Sequence, residues 1–226
     1  MAAPVAMRDR LFVLYAFNLE IARAPWVTSE PLIAEMRLQW WRDVVAEPRP
    51  RAHEVAGPLH GLRLPVDVLD AAIAARGWDI HRDAFADMAA FDGYLNETGG
   101  GLMWLAALAC GAGPEAEPVA RGLGWATGLA AFLRAVPELE SRGRVPLVDG
   151  RAEAVAGLAR RGLQRLAAAR RGRHLLPNAA ALAGWQTEGL LRQVAADPIA
   201  VAEGRMGLSE FAKRGGLVWQ AVTGRW

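Results

Sequence analysis

Apolar residues recur at helical spacing along most of the chain, and no stretch sustains the period-two alternation of a half-buried strand. In residues 11–24, Leu11, Leu14, Tyr15, Asn18 and Ile21 fall on one helical face, with Asn18 its odd polar member. Pro25 disfavours helix at the residue before it, so this helix ends near Ala24. Ser29 offers an N-cap and Pro31 a first-turn residue for a second helix. On that helix Ile33, Met36, Arg37, Trp40, Trp41 and Val44 share a face, and Arg37 is the odd member. One polar residue on each apolar stripe predicts the walls of an internal cavity. The other reading is a pair of buried polar groups satisfied by backbone.

The same spacing predicts a short segment around residues 55–62, then a helix opened by Pro65 with Val66, Leu69 and Ile73 inward and Gly77 as its stop. A long helix follows from Phe85 to about Cys110, with Met88, Phe91, Leu95, Leu102 and Leu105 inward and Gly99, Gly100 and Gly101 in its middle. Each Gly costs about 1 kcal/mol against Ala in a helix. The triplet therefore signals either close approach of another helix or a ligand, or a break into two helices. Pro114 and Pro118 start the next helix, whose stripe is Val119, Leu123, Ala126, Ala130 and Leu133, with Pro137 as its end. Residues 141–150 read as a loop. Residues 151–172 read as a helix with Val155, Leu158, Leu163 and Leu166 inside and Arg160, Arg161, Arg165, Arg170 and Arg171 mostly outside. Residues 179–196 and 209–223 complete the helices, the last capped by Ser209. The expectation is an all-α fold of roughly eight helices in one bundle, well over half helical, with residues 1–226 as a single domain.

Composition narrows the function. At 226 residues and 53% hydrophobic content, one large core is expected. The net charge of +2 is too small to imply a polyanion. The arginine row of the 151–172 helix lacks the interleaved aromatics of a nucleic-acid surface, so a solvated face is expected, with anionic lipid as the other reading and no nucleic-acid partner. Cys110 is alone, excluding an internal disulfide and pointing to a reducing compartment. No signal peptide is evident, and no run reaches 18 apolar residues, so no transmembrane segment is expected. Asp79, His81 and Asp83 have a spacing that would suit a metal only in extended chain, and no metal is expected there. No nucleophile elbow or zinc-protease motif occurs, and Cys110 reads as a small core residue.

Three stretches resemble the squalene/phytoene synthase family. LYAFNLEIARA followed by EMRLQWWRD is similar to that family's Y-A-x-C-R-x-x-D-D-x-x-D segment and the helix after it; Tyr15 and Ala16 match. Residues 94–101 resemble its Y-x-x-x-x-A-G-x-x-G stretch. Residues 128–144, GLAAFLRAVPELESRGR, keep the frame of its Q-L-T-N-I-L-R-D-V-x-E-D-x-x-R-G-R motif through Leu129, Leu133, Arg134, Val136, Glu138, Arg142, Gly143 and Arg144. The departures fall on the chemistry. The resemblance implies Asp pairs on two facing helices that hold Mg²⁺ and, through it, a prenyl diphosphate. Here the D-D-x-x-D positions are Ala22, Arg23, Ala24, Pro25 and Trp26, and the second pair is Ala135 and Leu139.

The resemblance therefore implies an isoprenoid-synthase-type bundle whose remnant diphosphate site would be Arg134, Glu138, Arg142, Arg144 and Arg23, with Asn18, Arg37, Tyr94 and Gly100 lining its cavity. No catalytic residue and no metal ligand is assigned. It looks most like a branch lacking the Asp-rich motifs, which includes a mitochondrial complex I assembly factor. That implies a non-catalytic assembly or lipid-binding protein, cytoplasmic or peripheral on an inner membrane, with a membrane-complex subunit or an isoprenoid lipid as partner and no cofactor. The alternative is a prenyltransferase condensing prenyl diphosphates head to head, for which Mg²⁺ would be the cofactor. If the fold is an interaction module, the arginine row of residues 160–173 and the exposed end of the Trp40–Trp41 helix are its expected working surfaces. Arg134 is expected to face inward and pair with Glu138.

Overall fold

Helix α1 (Val5–Arg23) buries Leu11, Leu14, Phe17 and Ile21, a stripe at three- and four-residue spacing. Pro25 ends it in a single 3₁₀ turn, Ala24–Trp26. The computed structural model describes residues 3–226, of which 74% are helical with no strand among them. The fold is all-α.

Helix α2 (Pro31–Ala46) begins at Pro31, but its N-cap is Glu30 rather than Ser29, and no side chain caps it. Its buried face is Ala34, Leu38, Trp41, Val44 and Val45. The expected stripe was displaced: Ile33 and Met36 are exposed, and so is Arg37. α3 (Ala56–Gly61) and α4 (Val66–Ala75) follow, α4 packing on α2 and leading into a 3₁₀ turn, Arg76–Asp79.

Asp87 caps α5 (Met88–Leu95), its carboxylate accepting from the Ala90 N–H at 2.8 Å. The helix runs through one π-helical turn, Asn96–Gly100, into α6 (Gly101–Ala109). The glycines lie where this rod crosses α7 (Glu117–Ser141). A Cβ on Gly99 would sit 2.6 Å from the Gly124 carbonyl oxygen and 3.0 Å from the Gly128 Cα. Close helix approach is thus the reason for the glycines, and the π turn accommodates it without ending the rod.

α7 is the central helix, burying residues from Val119 to Leu139 on more than one side. It continues past Pro137, which was expected to stop it. The last turn is held by the buried Leu139, by the Ser141 hydroxyl donating to the Glu138 carbonyl at 2.8 Å, and by the Glu138–Arg142 ion pair. These offset the hydrogen bond that proline removes. α8 (Ala152–Arg171) packs along α7 and α10 (Thr187–Ala196), with α9 (Asn178–Ala181) before α10 and α11 (Ile199–Ala202) after it. The segment expected as one helix over 179–196 is broken by a 3₁₀ turn at Leu182–Gly184. α12 (Glu210–Thr223) starts at Ser209, whose hydroxyl accepts from the Ala212 N–H.

Candidate functional site

A cavity of about 380 Å³ lies between α1, the Ala24–Trp26 and Arg76–Asp79 turns, the α5–α6 rod and α7. α1 presents Tyr15, Asn18 and Ala22 to it; α7 presents Thr127, Ala131, Ala135 and Leu139. Tyr94, Thr98 and Gly99 come from the rod. The Trp78, Phe85, Phe91, Tyr94 and Phe132 rings form one cluster beside it, Trp78 stacked on Phe85 at 4.0 Å. Two of these rings, Tyr94 and Phe132, reach the cavity wall.

Of the expected lining residues, Asn18 and Tyr94 line the cavity. Gly100 does not: it packs against the Arg121 backbone of α7, and its neighbour Gly99 takes the wall. Arg37 is exposed on α2, because the buried face of that helix is turned toward Ala34 and Leu38.

Four of the five positions that the family resemblance assigns to metal-binding aspartates face the cavity. They are filled by Ala22 and Trp26 on one side and by Ala135 and Leu139 on the other. Arg23 and Arg134 are exposed. Glu138 is also exposed and pairs with Arg142 at 2.6 Å, not with Arg134. The expected buried Arg134–Glu138 pair is therefore absent: Arg134 follows the buried Leu133 by one residue, about 100° round the helix, which carries it to the solvent side.

The charge in this cavity lies elsewhere, on the Arg76–Asp79 turn. Asp79 is only 4% exposed and accepts from Arg76 Nη1 at 3.2 Å and from the Tyr94 hydroxyl at 3.1 Å, while Arg76 Nη1 also donates to the Tyr94 oxygen at 3.1 Å. Burial pushes the Asp79 carboxyl above its ordinary range, against the pull of Arg76. Burial also pushes Tyr94 up, and raises Tyr15 to about 12 with help from Cys110. The Asp-x-His-x-Asp spacing hinted at this turn, but His81 points away, 3.3 Å from Glu35 of α2, so the three residues do not converge.

Arg144 is buried as well. Its guanidinium donates to the carbonyls of Trp78, Asp79 and His81, satisfying the end of the Arg76–Asp79 turn. It lies 4.8 Å from the Trp26 ring and 5.5 Å from the Trp78 ring.

Mg²⁺ takes about six hard oxygen ligands in near-octahedral geometry. Among the described lining residues the one carboxylate is Asp79, and its oxygens are already engaged by Arg76 and Tyr94. These residues do not fit a Mg²⁺–diphosphate centre.

The arginine row of α8 is more than a solvated face. Arg161 makes a two-point ion pair with Asp92 of α5, at 3.0 and 2.6 Å, and both Arg161 and Arg165 lie over the buried Trp125 ring. Arg170 joins Glu188 of α10 and the Trp226 carbonyl. Arg160, Arg171 and Arg173 remain exposed. The Trp40–Trp41 end of α2 is likewise packed, with Trp41 buried and both rings about 5 Å from His53.

Comparison with known proteins gives a consistent picture. Over 150 residues, 63% of this chain, it is 29% identical to "NADH dehydrogenase (ubiquinone) complex I, assembly factor 6" of Bos taurus and 27% identical to that of Homo sapiens. The chain spans 45% of the length of these relatives. Its fold is similar to that of a dehydrosqualene synthase solved in complex with ligand, at a TM-score of 0.79 and 15% identity over 96% of this chain and 87% of the other. It is also similar to squalene synthase HpnC from Alicyclobacillus acidocaldarius, at 0.68 and 14% over 92% and 88%. Residues 1–149 match the family described as Squalene/phytoene synthase, and that span holds all three motif regions and every lining residue of the cavity except Ala183; the chain belongs to the squalene/phytoene synthase family.

Proposed function

We propose that this protein is a non-catalytic member of its family that serves in the assembly of a membrane complex or binds a lipid at a membrane face. The observation that carries this is the wall of the cavity. Of the five positions where the family's chemistry calls for metal-binding carboxylates, four present two alanines, a leucine and a tryptophan to the cavity, and the fifth is the exposed Arg23. A diphosphate leaving group needs its developing charge neutralised, and an apolar wall supplies none. The nearest carboxylate in sequence, Glu138, faces solvent on Arg142. The likeness to assembly factor 6 of complex I supports the assembly half of the reading; the retained cavity, apolar along α7 and polar at Arg76, Asp79 and Tyr94, supports the lipid half. No described helix is long and apolar enough to cross a membrane, so contact with one would be at its surface.

Purified protein incubated with farnesyl diphosphate and Mg²⁺ is expected to release no pyrophosphate above a heat-killed control. Affinity purification from the native host is expected to recover subunits of a membrane complex. Release of pyrophosphate that is lost on Asp79→Asn would replace this reading with the prenyltransferase.

A further inference from the structure

Helix α12 is packed with its polarity reversed. Phe211, Val218, Trp219 and Val222 stand at i, i+7, i+8 and i+11, which places them on one helical face. In a helix laid on a core that face points inward. Here it points to solvent: Phe211 is 89% exposed, Val222 80%, Val218 62% and Trp219 60%. The buried side chain of the helix is polar, Gln220, whose Nε2 donates to the Ala181 carbonyl at 2.8 Å. Asn178 donates in turn to the Gln220 carbonyl at 3.3 Å, and Arg170 of α8 donates to the Trp226 carbonyl at 2.6 Å. These bonds hold the helix on the bundle with its apolar stripe outward.

The charge of the chain is segregated onto the same segment. Residues 208–226 hold Lys213, Arg214 and Arg225 against one acidic residue, Glu210; their net of +2 equals that of all 226 residues, so residues 1–207 are neutral overall. Lys213 engages Glu210 at 2.8 Å. Arg214, three residues after Phe211, is exposed on the flank of the stripe, and Arg225 is exposed beyond its end; neither forms an ion pair among the described residues. Glu188, which lines a pocket with Arg225, is already held by Arg170 and Arg192. An exposed stripe with a Phe and a Trp, flanked by unpaired cations, is the pattern of a helix that lies in the plane of an anionic membrane surface. A second copy of the chain fits less well. A two-fold contact through this stripe would bring the same cations together, and four side chains fall short of the roughly 20–30 residues a side of a stable interface.

We propose that the exposed face of α12 docks on an anionic lipid bilayer. Phe211, Val218, Trp219 and Val222 enter the headgroup boundary, and Arg214 and Arg225 meet lipid phosphates. Docking through α12 rests on the membrane-face reading above and gives it a contact surface.

The test is flotation of the whole chain with phosphatidylcholine vesicles, with and without phosphatidylglycerol. Binding is expected to the phosphatidylglycerol vesicles, weaker to phosphatidylcholine alone, and to fall as salt rises. Phe211→Glu is expected to weaken it about tenfold or more, and Arg214→Ala and Arg225→Ala about fivefold each. Met36→Glu, at an exposed apolar position of α2, is expected to leave it unchanged. All four side chains are exposed, so an unaltered helical spectrum checks that each variant folds. Binding to the phosphatidylglycerol vesicles with that pattern of loss supports the surface. No binding overturns it, as does binding that Phe211→Glu leaves intact, equal loss with Met36→Glu, or equal binding to neutral vesicles. So does a dimer in sedimentation that Phe211→Glu disperses, which would give the stripe to a second copy. Absence of vesicle binding, together with recovery of membrane-complex subunits and no pyrophosphate release, removes this surface and leaves the membrane-complex reading standing.

Discussion

At the scale of single residues, the buried charge of Asp79 is tolerable only because Arg76 and Tyr94 meet it. Removing one partner of a buried pair strands the other, so Asp79→Ala is expected to cost about 3 kcal/mol or more in urea denaturation, while Glu138→Ala, at the surface, should fall within about 1 kcal/mol of the parent. A reversed ranking would show that the charge of the old site still organises the fold. The two tyrosines give a second readout. Tyr15 is raised to about 12 and Tyr94 is also raised, both by burial, so absorbance titration of the native protein should show little tyrosinate at pH 10 to 11, whereas the unfolded chain should titrate near 10. The sign follows directly. A folded pKa above the unfolded value means stability fully present below about pH 10 and lost as pH rises toward the folded value. A native titration near 10 would mean that the cavity wall is wet.

Between elements, the crossing of the α5–α6 rod with α7 sets the width of the cavity. A methyl group on Gly124 would collide with the Gly99 carbonyl and sit 2.6 Å from the Met103 Cβ. The clash is expected to cost more than the ~1 kcal/mol that alanine gains by helix propensity, leaving Gly124→Ala destabilised by about 1–3 kcal/mol. A stabilised variant would show that the helices can separate. Arg161 ties α8 to α5 through Asp92, so Arg161→Glu should lower the melting temperature, and Asp92→Arg introduced with it should restore part of the loss. The glycine triplet announced this crossing in the sequence because glycine in mid-helix is costly and needs a cause. The α8–α5 tie was not legible, since Asp92 and Arg161 lie 69 residues apart and only the fold brings them together. α2 shows the limit of the periodicity itself. Its apolar residues surround the helix, so two stripes fit the spacing, and the structure buries the one built on Ala34, Leu38, Trp41, Val44 and Val45 while Leu32, Ile33 and Met36 stay exposed.

For the whole molecule, the family frame was legible because Tyr15, Tyr94 and the residues around Arg134 keep their spacing, and spacing survives when chemistry changes. The cavity survives with it, at the place where aspartates would stand, but its charge has moved from the helix faces to the Arg76–Asp79 turn and the Arg144 turn. Sequence motifs mark the first location; the second arises from residues that meet only after folding. This relocation separates metal from ligand in a way that can be measured. A ligand at 100 times its dissociation constant stabilises a protein by about 2.7 kcal/mol, a readily seen rise in melting temperature. If the replaced positions were still a metal site, farnesyl diphosphate and millimolar Mg²⁺ together would stabilise far more than farnesyl diphosphate alone. With Asp79 engaged by Arg76 and Tyr94 and the facing walls apolar, Mg²⁺ is expected to add nothing to whatever shift farnesyl diphosphate produces by itself. A shift that requires Mg²⁺ and disappears in Asp79→Asn would return the cavity to prenyl diphosphate chemistry.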